Sequence, residues 1–209
     1  MNSGLTKTLV ILSIFAVAMG YMESAVVVYL RKIYYPDGFS LPLKSMDMTL
    51  GLTEFFREAV TICMLVTVAM LITKRWLFRF AWFIYAFAIW DISYYLFLYL
   101  ILGWPPTLLT WDVLFIFPVI WTGPVLAPLI NSLSMIMLAF LILRLNRSGK
   151  DHPLSRWQWT LLISGSVLTV FTYISAYPRF NWLIFILAES LFLLSFLLFL
   201  KKTGSPQSL

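Results

Sequence analysis

The chain has 209 residues, 61% of them hydrophobic and only 11% charged, with 15 Lys and Arg against 9 Asp and Glu for a net charge of +6. Soluble domains carry roughly 25% charged residues, so this chain cannot cover itself with polar surface and lipid must solvate much of it. A single cysteine, Cys63, and a single histidine, His152, exclude an intrachain disulfide, a Cys-rich metal site and a His-cluster metal or haem centre.

A helix needs about 20 apolar residues to cross a bilayer, and six segments qualify. The first runs over 8–30, between Lys7 and Arg31-Lys32. Its start has an A-x-A pattern at Ala16–Ala18, as a signal peptide would. The apolar run continues past it, which predicts an uncleaved helix. Ala16, Gly20 and Ser24 fall four apart and give this helix one small face for close approach to a neighbour. Pro36-Asp37-Gly38 marks a turn, and the second segment covers 50–73. Lys74-Arg75 stops it, and the third covers 76–102.

Residues 103–123 are too broken by proline for a straight helix and too apolar for a solvated loop. They read as an interfacial or re-entrant lid, with Trp104, Trp111, Asp112 and Trp121 as its anchors. The fourth segment covers 125–143, with Pro124 and Pro128 near its first turns, where proline is tolerated. The fifth covers 157–177 and the sixth 181–200. The predicted fold is all-α: a polytopic integral membrane protein of six transmembrane helices in one bundle and one domain.

Six crossings put both termini on one side. That side collects Lys7, Lys74, Arg75, Arg79, Arg144, Arg147, Lys150, Arg156, Lys201 and Lys202, against Arg31, Lys32, Lys44 and Arg179 opposite. The positive-inside rule makes the richer side cytoplasmic, most simply in a bacterial inner membrane. The net positive charge is thereby explained by topology, without a nucleic-acid partner.

This topology levels the acids. Glu23, Glu58 and Glu189 lie seven or eight residues from the outer ends of their helices, roughly 10–12 Å deep, and Asp91 lies about 16 Å deep. Arg57 shares that band. A charge at the bilayer centre costs about 2.5–3.5 kcal/mol on insertion scales, so these groups are expected to face inward and find partners. Glu54, Arg57, Glu58 and Thr61 fall on one helical face, as do Asp91, Tyr94 and Tyr95. Trp182, Phe185, Glu189, Phe192 and Phe196 share another. The expected site is an outward-facing pocket built from Glu23, Arg57, Glu58, Asp91, Tyr94, Tyr95 and Glu189. Arg57 cannot neutralise four acids, so the surplus needs protons, a bound cation or a partner subunit.

Weaker signals read as structural. Ser164-Gly165-Ser166 lacks a histidine base within reach and reads as helix packing. Met46-x-Met48 is too small a set of soft ligands for copper. Asn131, Ser132 and Ser134 read as interhelical hydrogen bonds. The expected function is that of a binding protein or carrier for a cation, a proton or a polar or cationic amphiphile, without cofactor or metal. One alternative is an accessory subunit, partnered or self-associated, in a larger membrane complex. Another is an enzyme doing acid–base chemistry on a lipid or isoprenoid.

Overall fold

The computed structural model describes residues 3–44, 47–145, 154–174 and 176–204. Within them lie six helices: α1 (Ser3–Tyr34), α2 (Met48–Ile72), α3 (Trp76–Leu102), α4 (Leu126–Leu145), α5 (Arg156–Ile174) and α6 (Trp182–Gly204). Two short strands, β1 (Trp111–Phe115) and β2 (Trp121–Pro124), interrupt the series between α3 and α4. Five of the helices, all but α5, are long and apolar enough to cross a membrane. In α5, Gln158 and a scatter of serines and threonines dilute the apolar content, and Gln158, Thr169 and Thr172 are turned into the protein.

The third helix is the centre of the bundle. It is apolar almost all round, and such a helix must be buried. It packs against α1, α2 and α4, while α5 pairs with α6, and α6 joins that pair to α4. The α1–α3 contact is close because α1 presents its small face: Ala16 and Ser24 are fully buried. A Cβ on Gly20 would stand 2.7 Å from Ser93 Cβ and 2.9 Å from the Trp90 carbonyl. Ser24 Oγ donates to the Tyr94 carbonyl at 2.9 Å, across the same seam. Gly165 does the equivalent for α5 and α6, where a Cβ would meet Phe192 and the Ala188 carbonyl. Small residues are the usual means of helix association in lipid, where apolar area alone gives no drive.

Gly103 ends α3 in the left-handed conformation (φ +64°), its N–H returning to the Tyr99 carbonyl. The lid segment then forms an antiparallel hairpin, with Asp112 opposite Gly123 and a register irregularity between Val113 and Phe115. Val125 N–H donates to the Thr110 carbonyl at 3.0 Å and Leu126 N–H to that of Leu108 at 2.8 Å. The segment thus satisfies part of its own backbone. Within the segment expected to be an interfacial or re-entrant lid, WDVLF and WTGP pair as strands, and Pro124 closes β2.

Other boundaries shift as well. Asp47 caps α2, its carboxylate accepting from Leu50 N–H at 3.0 Å. The first helix extends through Arg31 and Lys32 to Tyr34, so Arg31 belongs to a helix and not to a loop. Met46, His152 and two of the loop cations, Arg147 and Lys150, lie outside the described residues.

Candidate functional site

The inward stripe of α2 begins with Glu54 and Glu58, both buried, and continues through Thr61, Leu65 and Ala69. Arg57 lies beside that stripe. Its Nε and Nη2 donate to Glu54 Oε2 at 2.9 and 2.7 Å, and its Nη1 donates to Glu23 on α1. One guanidinium therefore ties α1 to α2 and takes up two carboxylates. Removing Arg57 would leave the buried Glu54 carboxylate without its cation.

Glu58 points elsewhere. Its Oε2 accepts two backbone donors from the hairpin turn, Ile116 N–H at 2.7 Å and Phe117 N–H at 2.9 Å. Those N–H groups lie beyond the paired part of β1 and need an acceptor, because a buried amide left alone costs about 1–3 kcal/mol. A second tie lies on the other side of the hairpin. Arg31 Nη2 donates to Asp112 Oδ1 at 2.8 Å, with both side chains buried. The Arg31 guanidinium also lies 3.6 Å from the ring centroid of Trp104 and 4.4 Å from that of Phe39. Burial pushes the Asp112 carboxyl above the usual range, to about 6, against the pull of the neighbouring Arg31 charge.

Around these ties lies a pocket of about 90 Å³ that mixes charged side chains with apolar ones such as Val27, Leu30 and Leu43. Five carboxylates (Glu23, Glu54, Glu58, Asp91, Asp112) and two guanidiniums (Arg31, Arg57) line it, together with Tyr94 and Trp90. Arg31 Nη1 and Asp112 Oδ2 are buried there without a protein partner. The pocket has room for waters or a small polar group.

A second cleft opens between α3, α4, α5 and α6, with a volume of about 300 Å³. Its walls are apolar, including Phe80, Ile84, Leu138, Leu162, Phe192 and Phe196. Its polar end gathers Asp91, Asn131, Ser132, Ser134, Thr169 and Tyr173, with Trp121 from the hairpin. Ser132 Oγ donates to Asp91 Oδ2 at 2.8 Å. Glu189 accepts from Ser134 Oγ at 2.6 Å and from the Asn131 amide, and Tyr173 donates to the same Asn131. Asp91 stands on the wall common to both cavities.

The structure thus brings Glu23, Arg57, Glu58, Asp91 and Tyr94 together around one pocket. Glu189 is not among its lining residues, because α6 packs on α4 and α5 and not on α1 or α2. Tyr95 is buried and does not line the pocket either; its phenol sits by Asp112. Of the residues expected in a lid, Trp104 lies over Arg31, Asp112 lines the pocket, Trp121 lines the apolar cleft, and Trp111 rests on Tyr177 and Phe180. Polar side chains of the helices hold the hairpin, Arg31 and Glu58 among them.

Two participants are not apparent from the sequence alone. Arg31 looks like a topological anchor, and its signal is indirect: Asp112 is a lone charge in an apolar loop and needs a cation. Thr169 gives no signal, since threonines are common along α5. Among the described residues, no group of three or more His, Cys, Asp or Glu is placed to hold a metal ion. Comparison with protein-family models, with curated proteins and with solved structures returns no match to this chain.

Proposed function

We propose that this protein binds, and by extension carries, a membrane amphiphile. The polar or cationic head turns to Asp91 and the tail lies in the cleft between α3 and α6. In this reading α5 crosses the membrane with the other five helices, and both termini are cytoplasmic in a bacterial inner membrane. Glu23, Arg57, Glu58 and Tyr94 form the polar wall behind Asp91. Tyr95 steadies Asp112, Glu189 sets the far rim, and the hairpin covers the outer mouth.

One observation carries the reading: Asp91 borders both a pocket that holds five carboxylates and two guanidiniums and an apolar cleft. Neither cavity alone asks for an amphiphile. A carboxylate at their junction does, because a head needs polar partners while its tail needs apolar walls. About 300 Å³ is at the lower end of the range for small-molecule sites, which fits one chain rather than two.

The test is equilibrium binding of single-chain alkylammonium and acylglycerol probes to the purified protein in nanodiscs. Asp91→Asn is expected to weaken alkylammonium binding by about tenfold or more, as for the loss of a charge-assisted hydrogen bond. Leu138→Trp, which fills the cleft, is expected to weaken both probes. Unchanged affinity in both variants would end the proposal.

A further inference from the structure

Resting on that reading, we infer that the bound head carries a carbonyl or hydroxyl oxygen, received by Trp121 and Thr169. Both residues line the polar end of the apolar cleft. Trp121 Nε1 and Thr169 Oγ1 are buried, and neither has a hydrogen-bond partner in the protein. Thr169 is only 8% exposed.

These two orphans differ from their surroundings. Every other polar group named at this end is engaged: Ser132 with Asp91, Ser134 and Asn131 with Glu189, and Tyr173 with Asn131. Elsewhere on the same helix, Ser166 and Thr172 return their hydroxyls to their own backbone, to the Leu162 and Leu168 carbonyls. Thr169 does not, although the same bond is open to any helical threonine. Buried donors seldom go unmatched, and an indole N–H can only donate. Trp121 stacks on Tyr173, with ring centroids 6.1 Å apart. Tyr173 stands one helical turn from Thr169, so the indole and the hydroxyl flank one corner of the cleft.

An acceptor oxygen placed in that corner satisfies both donors. Asp91 and Glu189 nearby are acceptors and favour a head that also brings hydroxyl hydrogens. A bare ammonium meets the carboxylates and leaves the indole and the threonine unmatched. An uncharged lipid with an ester or alcohol group next to one acyl chain satisfies all of them. The ligand class is therefore a monoacylglycerol-like or long-chain alcohol-like lipid.

Three probes of equal chain length separate the cases in nanodisc-embedded protein: a monoacylglycerol, an alkylammonium and an n-alkane. Thr169→Val removes one donor with little change of shape, and Trp121→Phe removes the other while also taking one ring from the wall of the cleft. Each is expected to weaken monoacylglycerol binding about fivefold, as for one hydrogen bond, and to weaken alkylammonium binding less, Thr169→Val least of all because it keeps the shape of the wall. Retained alkylammonium binding, or an unchanged thermal transition, shows that the variants are folded. Monoacylglycerol affinity that survives both substitutions overturns the inference, and so does equal affinity for the alkane. Failure of the native protein to bind any of the probes overturns the amphiphile reading itself and the inference with it.

Discussion

The guanidinium of Arg31, at the end of α1, meets the carboxylate of Asp112, in the first strand of the hairpin, at 2.8 Å across 81 positions of sequence. Both side chains are buried, and Trp104 and Phe39 flank the cation. This contact fastens the hairpin to the helices, and its energetics are two-sided. The pair as a whole adds modest stability, but either charge alone in that place is costly. Arg31→Met is therefore expected to destabilise the protein by about 3–5 kcal/mol. Arg31→Met combined with Asp112→Leu should recover most of that loss. Thermal unfolding in a mild detergent checks both. Additive losses would show that the two residues do not act as a pair.

The same carboxyl makes the fold pH-dependent. Its value in the folded protein is about 6, above the ordinary 3.8, so the folded state holds this proton more tightly than the unfolded chain does. Its stabilising contribution is present at low pH and is lost as pH rises from about 4 through about 6. A shift of about two units amounts to at most about 3 kcal/mol. Asp112→Asn cannot titrate. The native protein should lose stability relative to this variant between pH 4 and 7, and a difference independent of pH would refute the assignment.

Glu58 is the second fastening, and its effect is local. Glu58→Ala leaves the amides of Ile116 and Phe117 without their acceptor, at about 1–3 kcal/mol each. Hydrogen exchange at those two amides should quicken by an order of magnitude or more in Glu58→Ala. In Glu58→Gln, which keeps a carbonyl oxygen, the change should be smaller. Equal exchange in the native protein and Glu58→Ala would mean that another group holds the turn.

Much of this arrangement is legible in the sequence, for physical reasons that differ from residue to residue. The apolar run of α3 announces a buried helix, and its limits fall where Lys74-Arg75 and Gly103 put them. The spacing of Glu54, Arg57 and Glu58 places three charges on one face of a helix, and Arg57 there calls for one or two of Glu54, Glu58, Glu23 and Asp91; the structure pairs it with Glu54 and Glu23. Depth along a helix can be counted, but the direction a helix faces within the bundle cannot. Counting puts Glu189 level with the other acids, yet it pairs with Asn131 and Ser134 of α4 and lines neither pocket, because α6 packs on α4 and α5. The hairpin is masked by its prolines. Trp111–Phe115 is a short apolar run rich in aromatics, which fits a strand, yet its partner Trp121–Pro124 contains a glycine and a proline.

The glycines offer a test of the packing. A Cβ on Gly20 would press into the backbone of α3 at 2.9 Å, while Gly51 has nothing within 4 Å. Gly20→Ala is expected to cost about 1–3 kcal/mol, as overpacking does, and Gly51→Ala to be neutral or slightly stabilising. The thermal transitions of the two variants, compared side by side, decide this. Equal behaviour would mean that the α1–α3 seam is looser than described.

Labelling of the cleft tests the central claim most directly. A single-chain amphiphile with a photoreactive diazirine in its tail can be bound to the protein in nanodiscs, irradiated, and its attachment sites mapped by mass spectrometry of peptides. If the cleft holds the tail, labels concentrate on its walls at Leu138, Leu162, Phe192 and Phe196. An excess of unlabelled amphiphile removes them, and Asp91→Asn weakens them. Labels spread over outward-facing residues such as Leu71, Ile163 and Leu183, without competition, would contradict the account.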